Sequence, residues 1–593
     1  MLARSRTVAE PRWSPDGRHV AWVDAFAGRA DVAVAPADGS GPPVVVTADT
    51  PVVSVGAYGG GAYTWSDADR LVVAASDGRL VLVAADGAGS RTLSDIGRAA
   101  APACPAAPRW VAFVREGDDR CELVVAPLEG PDEPKVLSRA DYAWDPACSP
   151  DGALVAWHEW DLPNMPWDGS RIVVASPDGA APLVVAGRDG EAVGQPRWSP
   201  DGRRLGFVTD RDGWWNVWSV DRSGRDARPV LAERHEQAEP PWGPGQRSFA
   251  WSPDGTAVAL VRNEDGFGRL VVAGPDGAET RARGWHHGLD WGAAGIVAVR
   301  SGARTPAAVT VLGPGGRRVV ARGPVGGFET IGLAEPEVVT WPGRDGTAVP
   351  GLLWRPAAHT PGRDAPPLLV DVHGGPTGQA TAAWRPAVSF FTSRGWAVLA
   401  PNPTGSTGYG RAYAQGLAGE WGGRDVEEVA AGIRAAADRG WGDPERVAVG
   451  GGSAGALTAL LLCVRYPDLV RAAVSQYGVT DLAALAATTH RFESRYLDRL
   501  VGVLPRDAAR YRERSPATHA AALRVPVLVL HGRDDRVVPV GQAEAFVAAI
   551  EAAGGTVEAH LYDGEGHGWR LPDTIEDAYR RMDAFLRRYV GDP

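Results

Sequence analysis

Three stretches of this chain carry residue types that together perform acyl transfer. The first, RVAVGGGSAGALTAL (446–460), sets Ser453 among glycines, after a short apolar run and before a longer one. A strand-like RVAVGG gives way there to a helix-like AGALTALLLCVRY, and Gly451-Gly452-Ser453-Ala454-Gly455 fits the G-x-S-x-G nucleophile elbow. Such a turn strains the serine backbone and brings strand and helix so close that neighbouring side chains would collide, hence the glycines. The helix N-terminus adds N–H groups and a favourable dipole beside the serine oxygen. A phosphate loop would need Gly-Lys-Ser/Thr, and this turn has no lysine.

An elbow serine needs a base and an orienting acid, in the chain order Ser, Asp, His. VPVLVLHGRDDRVVPVGQ (525–542) puts the acidic pair Asp534 and Asp535 just after a strand. HLYDGEGHGW (560–569) puts His567 in a glycine-flanked loop after the next one. Alone, the histidine reads as a surface residue and the pair as a solvated turn. In this order, at successive strand ends, they read as a hydrolase triad. His567 would take the serine proton while the aspartate holds the imidazole and stabilises its cation. The oxyanion needs preorganised donors. HGGP (373–376) follows the strand PLLVDV and offers the N–H of Gly375; the N–H of Ala454 is the second.

The elements that must position these residues alternate short apolar runs with amphipathic stretches from about residue 345 onward. That pattern implies a doubly wound, mostly parallel sheet covered by helices, an α/β-hydrolase domain. The first half has another rhythm. WSPDGRHVAWV from Trp13, CSPDGALVAWH from Cys148, WSPDGRRLGFV from Trp198 and WSPDGTAVALV from Trp251 repeat one Pro-Asp-Gly turn and one alternating strand. Weaker copies begin at Thr64, Ala107 and Leu289. Spacings of roughly 38 to 53 residues suit four-stranded blades, so the reading is a seven-bladed β-propeller. The expected domains are 1–335, a β-propeller, and 336–593, the catalytic hydrolase. One segment breaks the blade rhythm: WHEWDLPNMPWDGS (157–170), with two prolines and three acidic residues, is expected to face a site.

The net charge, 61 − 72 = −11, gives no support to a nucleic-acid or anionic-membrane partner. Nothing reads as a signal peptide or as an apolar run of spanning length. Four scattered cysteines without a CxxC pair read as reduced, mostly buried thiols, with no metal site.

SPDG repeats together with HGGP, GSTGYG (405–410), GGSAG, HGRDDRVVP and GEGHG resemble the prolyl oligopeptidase family of serine peptidases. WDLPNMPWDG and HRFESRYLDRLVG (490–502) are similar to its acylaminoacyl-peptidase branch, with bacterial aminopeptidases and puromycin-hydrolase-like enzymes. The resemblance covers essentially the whole chain. It implies a cytoplasmic peptidase of short peptides, because the propeller caps the hydrolase and gates substrate access, and it implies no cofactor. By carry-over, Ser453 is the nucleophile, Asp535 the acid, His567 the base, and Gly375 and Ala454 the oxyanion donors. The family spacing H-G-x-x-D-x-x-V-P, counted from His531, selects Asp535 over Asp534. Two positions depart. Thr404 stands where the family often has arginine, and Val537 where some members have a substrate-binding arginine, with Arg536 one residue early.

An aminopeptidase must hold a free ammonium, which carboxylates do best. Glu159, Asp161 and Asp168, with Asn164 as a neutral partner, are candidates in the unusual loop; Glu493 is another, opposed by an ion pair with Arg491 or Arg495. An acyl-releasing enzyme would instead need an apolar pocket, for which Trp160, Met165 and Trp167 are candidates. The expected activity is therefore a serine exopeptidase removing one free or acylated N-terminal residue from short peptides or aminoacyl amides. The alternatives are an esterase or amide hydrolase of aminoacyl natural products using the same triad, and an interaction protein with an inactive hydrolase. Homo-oligomer formation is left open.

Overall fold

The computed structural model describes residues 6–53, 59–95, 97–130, 133–180, 182–188, 190–323, 333–356 and 365–592. Contacts divide the chain into two compact units, one built on Ser5–Gly302 and Pro306–Val325 and the other on Gly326–Pro593.

In the first unit the described residues form seven four-stranded antiparallel sheets, each from strands consecutive in the chain. This is a seven-bladed β-propeller. All seven repeat units fall at the junction between the first and second strands of a blade. The Ser-Pro-Asp-Gly turn explains its own recurrence. In the first blade Ser14 donates to Asp16 (2.6 Å) and accepts from the His19 N–H (2.9 Å), while Gly17 takes φ +72°. The same bonds recur at Ser149/Asp151, Ser199/Asp201 and Ser252/Asp254. Serine and aspartate thus satisfy the backbone of a turn that only glycine closes without strain.

The residue before each turn ties its blade to the one before. Trp198 Nε1 donates to Ala147 O and Trp251 Nε1 to Arg197 O, both at 3.1 Å. Trp13 Nε1 reaches Gly295 O of the seventh blade at 3.1 Å and so closes the ring. Cys148, the small residue of the fourth copy, makes the same link with its thiol, 3.4 Å from Ala103 O. Ring closure rests on such bonds and on a shared apolar core, in which Val8, Trp13 and Trp22 meet Val297, Val299 and Val309. Among the described residues, no strand of the first blade pairs into the sheet of the seventh.

First strands meet one another around the axis. In or just before each one a residue has positive φ: Glu10, Gly61, Ala101, Asp145, Gln195, Gly245 and Gly288, between 48° and 84°. Register shifts at five of these strands mark β-bulges, which re-aim the residues that follow.

His158, on the strand Val155–Trp160, is fully buried, and neither ring nitrogen has a hydrogen-bond partner among the described residues. Burial pulls its imidazole down to about 3. Burial also lowers His286 to about 3. A histidine depressed in the folded state adds stability above its unfolded value near 6.5 and loses it as pH falls, because the unfolded chain binds the proton first. Urea unfolding of the wild type is therefore expected to weaken between pH 7 and pH 5, by up to about 1.4 kcal/mol per pH unit for each such group. His158→Phe is expected to flatten that slope; an equally steep slope in the variant would exclude His158 as a source.

The second unit holds one eight-stranded sheet: β1 (Glu337–Pro342), β2 (Ala348–Trp354), β3 (Leu368–Val372), β4 (Ala397–Pro401), β5 (Val447–Gly452), β6 (Ala472–Gln476), β7 (Val527–Gly532) and β8 (Val557–Tyr562), in the order β1-β2-β4-β3-β5-β6-β7-β8. From β4 to β8 all neighbours are parallel, and β2 runs antiparallel to both of its own. The central strands are mostly apolar and buried because both faces are covered. Helices α1 (Pro386–Thr392) and α5 (Pro572–Val590) meet through Phe390 and Tyr579, and α5 packs on β5 and β6. Helices α2 (Arg424–Asp438) and α3 (Ala454–Arg465) pack together, and α3 and α4 (Gly541–Ala552) both meet the short helical segment Pro516–Ala522. Ten of the twelve residues of α3 are buried, which is why AGALTALLLCVR is apolar on nearly every side. This is an α/β-hydrolase domain.

Candidate active site

Ser453 stands between β5 and α3 with φ 55° and ψ −123°, a conformation costly for any residue with a side chain. Its N–H donates to Gln476 O (3.1 Å), and its carbonyl accepts from Ala456 and Val479. A Cβ on Gly455 would lie 2.2 Å from Val372 O, and one on Gly451 2.6 Å from the same oxygen. The glycines therefore let α3 and β5 crowd onto the end of β3, while a Cβ on Gly452 would strike the Tyr477 ring.

Asp535 and His567 come together from loops after β7 and β8: His567 Nδ1 lies 2.8 Å from Asp535 Oδ2. The other oxygen, Oδ1, accepts from the Val537 and Val538 N–H groups, both at 2.9 Å. His531 adds its Nε2 at 3.4 Å from Oδ2 and is bonded to Val538 O at 2.8 Å. Burial alone would raise the Asp535 carboxyl, but the bonds from His531 and His567, the His567 charge and the Val538 amide outweigh it and hold it well below the usual range. Asp534 next to it is exposed.

Tyr477, at φ 38°, links the parts: its ring lies against Gly452 and edge-on to His567, with centroids 4.9 Å apart. Trp569 packs edge-on against Tyr477 and donates to Gln476 Oε1 (3.0 Å), which pins the histidine loop to the end of β6. Neither aromatic is visible as functional in the sequence; the positive φ at Tyr477 is a property of the fold alone.

Gly375, Ser453 and Ala454 share the wall of one small cavity with Trp421, Val479, Leu485, Leu497, Val537 and Val538. The polar groups on that wall are Thr489, Glu493 and Tyr496. Thr489 donates to Glu493 (3.5 Å), and the Tyr496 hydroxyl is bonded to Thr377 Oγ1 (2.5 Å) in the HGGP loop. Arg495 pairs with Asp498 at 2.7 Å. His373 is tied to Ser406 (2.8 Å), so GSTGYG supports the HGGP loop. Burial first, and then the His567 charge, pull the nearby His490 imidazole down to about 4.

The departures from the family pattern have structural uses. Thr404 is buried and bonds Glu428 through its N–H (2.6 Å) and hydroxyl (2.9 Å), and Arg424 pairs with that carboxylate at 2.8 Å. Val537 lines the cavity as an apolar wall, while Arg536 is exposed.

The remaining candidates lie in the propeller unit. Glu159 is buried and accepts from Ser138 (2.6 Å), Trp157 Nε1 (2.5 Å) and Arg171 (2.8 Å). Asp161 shares Arg171 at 2.9 Å and accepts from the Asp141 N–H. Trp167 packs on Trp242, with centroids 4.5 Å apart; Asp168 is buried and Asn164 exposed. Trp242 belongs to PPWGPGQ, a second long loop between blades that no repeat or motif marks in the sequence. Among the described residues no group of three or more His, Cys, Asp or Glu side chains is arranged to hold a metal. None of the described helices is long and apolar enough to cross a membrane.

A serine at a strained elbow of an α/β-hydrolase sheet, on one chain with a seven-bladed propeller, defines a class of two-unit serine hydrolases. Residues 383–593 match the sequence model of the prolyl oligopeptidase family. A solved puromycin-hydrolyzing peptidase of Mycobacterium tuberculosis is 31% identical with a TM-score of 0.91, over 100% of this chain and 95% of that one. The chain belongs to the prolyl oligopeptidase family of serine peptidases. Dipeptidyl aminopeptidase BIII of Pseudoxanthomonas mexicana is 29% identical over 271 residues, 43% of this chain and 39% of that protein. The acylamino-acid-releasing enzyme of Arabidopsis thaliana is 26% identical over 233 residues, 38% of this chain and 30% of that protein. The chain thus aligns with less than half the length of these curated relatives.

Proposed function

We propose that this protein is a serine exopeptidase that releases one N-terminal residue from short peptides or aminoacyl amides, with a preference for a free amine. The observation that carries the reading is the 2.8 Å bond between His567 Nδ1 and Asp535, joined to the elbow through Tyr477, whose ring packs against both His567 and Gly452. With Nδ1–H held by Asp535, Nε2 is the free base that takes the Ser453 proton as the oxygen attacks the scissile carbonyl. The Gly375 and Ala454 N–H groups receive the developing oxyanion. His567 then protonates the leaving amine, and water repeats the sequence on the acyl-enzyme. Asp535 stays ionised and stabilises the imidazolium, in keeping with the bonds that lower its carboxyl.

Apolar walls at Val479, Leu485, Leu497 and Val537 suit an uncharged side chain, and Glu493 on the same wall suits an ammonium. The likeness to a puromycin-hydrolyzing peptidase supports single-residue release from aminoacyl compounds over dipeptide release. Phenylalanine p-nitroanilide, free and N-acetylated, with a dipeptidyl analogue and a matched ester, tests the reading. The free amine is expected to turn over fastest. Glu493→Gln is expected to raise KM for it roughly ten- to hundredfold and to leave the acetylated compound unchanged. Faster turnover of the acetylated compound would make this an acyl-releasing enzyme and remove Glu493 from the reading; faster turnover of the ester would favour an esterase.

A further inference from the structure

We propose that the central channel of the propeller binds a small oxyanion, a carboxylate or a phosphate, on an arc of three arginines. The site lies wholly within the propeller and is independent of the hydrolase reading. Two residues beyond each positive-φ position, the first strands place one side chain apiece around a cavity of about 320 Å³. Blades two to four contribute Tyr63, Ala103 and Ala147, which carry no charge. Blades five, six, seven and one contribute Arg197, Arg247, Asp290 and Arg12, a contiguous charged arc.

The carboxylates near this arc are already engaged by backbone. Asp290 accepts from the Trp13 N–H (2.9 Å), Asp145 from Gly245 (2.6 Å), and Glu10 from Gly61 (2.8 Å) and Ala62 (3.0 Å). Arg12 and Arg197 donate to neighbouring carbonyls, Pro11 O at 2.8 Å and Gln246 O at 3.0 Å among them. Arg247 Nε is buried with no hydrogen-bond partner among the described residues, and its Nη1 stands 3.6 Å from the carboxylate of Asp290. Only about a quarter of its side chain is exposed. A guanidinium so placed, facing two others across a polar cavity, lacks the acceptor that its planar donor fork requires. An oxyanion supplies that acceptor and relieves the repulsion among the three cations. The mutual repulsion is evident in Arg247, which burial first and then Arg12 and Arg197 lower well below its ordinary value.

The test titrates the intact protein calorimetrically, in a buffer free of oxyanions, with inorganic phosphate, N-acetylglycine and N-acetylglycinamide. One or both anions are expected to bind once per chain and raise the melting temperature, and the uncharged amide is expected to do neither. Phosphate binding alone identifies a free inorganic ion as the ligand; tighter binding of N-acetylglycine identifies the terminal carboxylate of a peptide. Arg247→Met is expected to weaken anion binding at least about tenfold. In the absence of anion it should melt only slightly lower than the wild type, since no hydrogen bond is lost and the pairing with Asp290 spans 3.6 Å. Should that variant fail to fold, Arg197→Gln carries the same affinity prediction. Binding of neither anion, equal binding of the amide, or anion affinity unchanged in a folded variant overturns the proposal.

Discussion

Replacing Ser453 with alanine is expected to lower kcat on phenylalanine p-nitroanilide by about 10⁶-fold while the melting temperature stays within a degree or two of the wild type. The hydroxyl is the one group removed. The bonds that hold this residue at φ 55° use its main-chain N–H and carbonyl, and alanine keeps both together with the Cβ. The donors proposed at Gly375 and Ala454 also remain, so the residual rate should still exceed the uncatalysed one, by about 10³- to 10⁴-fold. A fluorophosphonate should label the wild type at Ser453 and leave the variant unlabelled. Labelling of the variant, or turnover near the wild-type rate, would place the nucleophile elsewhere. An unlabelled wild type would return the chain to the reading of an inactive hydrolase joined to an interaction propeller.

The second large effect separates two adjacent acids. Asp535→Asn is expected to cost about 10⁴-fold in kcat, and Asp534→Asn less than about threefold. Asp535 is an acceptor in every direction: two backbone N–H groups on Oδ1, and His567 with the more distant His531 on Oδ2. Asparagine has one oxygen, and the Val537 and Val538 amides will claim it. Its NH₂ then faces His567 Nδ1 and forces the tautomer that carries its proton on Nε2, where Ser453 needs a base. The KM of the variant should change little, because Asp535 touches imidazole rather than substrate. Asp534 is exposed, so its charge is screened and its loss is nearly silent. Equal losses in the two variants would reverse the assignment.

Local rules wrote much of this protein into its sequence. Ser-Pro-Asp-Gly is a self-contained turn whose hydrogen bonds run between residues no more than five apart, so each copy marks a blade by itself. The elbow is legible for the same reason: an apolar strand, crowded glycines and an apolar helix occupy one continuous stretch. The weaker blade units, from Thr64, Ala107 and Leu289, lack the full turn, and only their spacing betrays them.

What the tertiary structure decided is which partner each charged or polar group takes, since those bonds join residues far apart in the chain and depend on how strands register and pack. Asp534 and Asp535 are equal in the sequence; burial of one carboxylate under the Val537 and Val538 amides, opposite a histidine 32 residues on, makes them unequal. Glu159 reads as free to hold an ammonium, but strand pairing sets Arg171 across from it. Thr404 in place of arginine reads as a lost contact, and in the fold it caps the buried Glu428. The arginine arc is the clearest case: Arg12, Arg197 and Arg247 lie on three separate blades, and only closure of the ring brings their charges into one cavity.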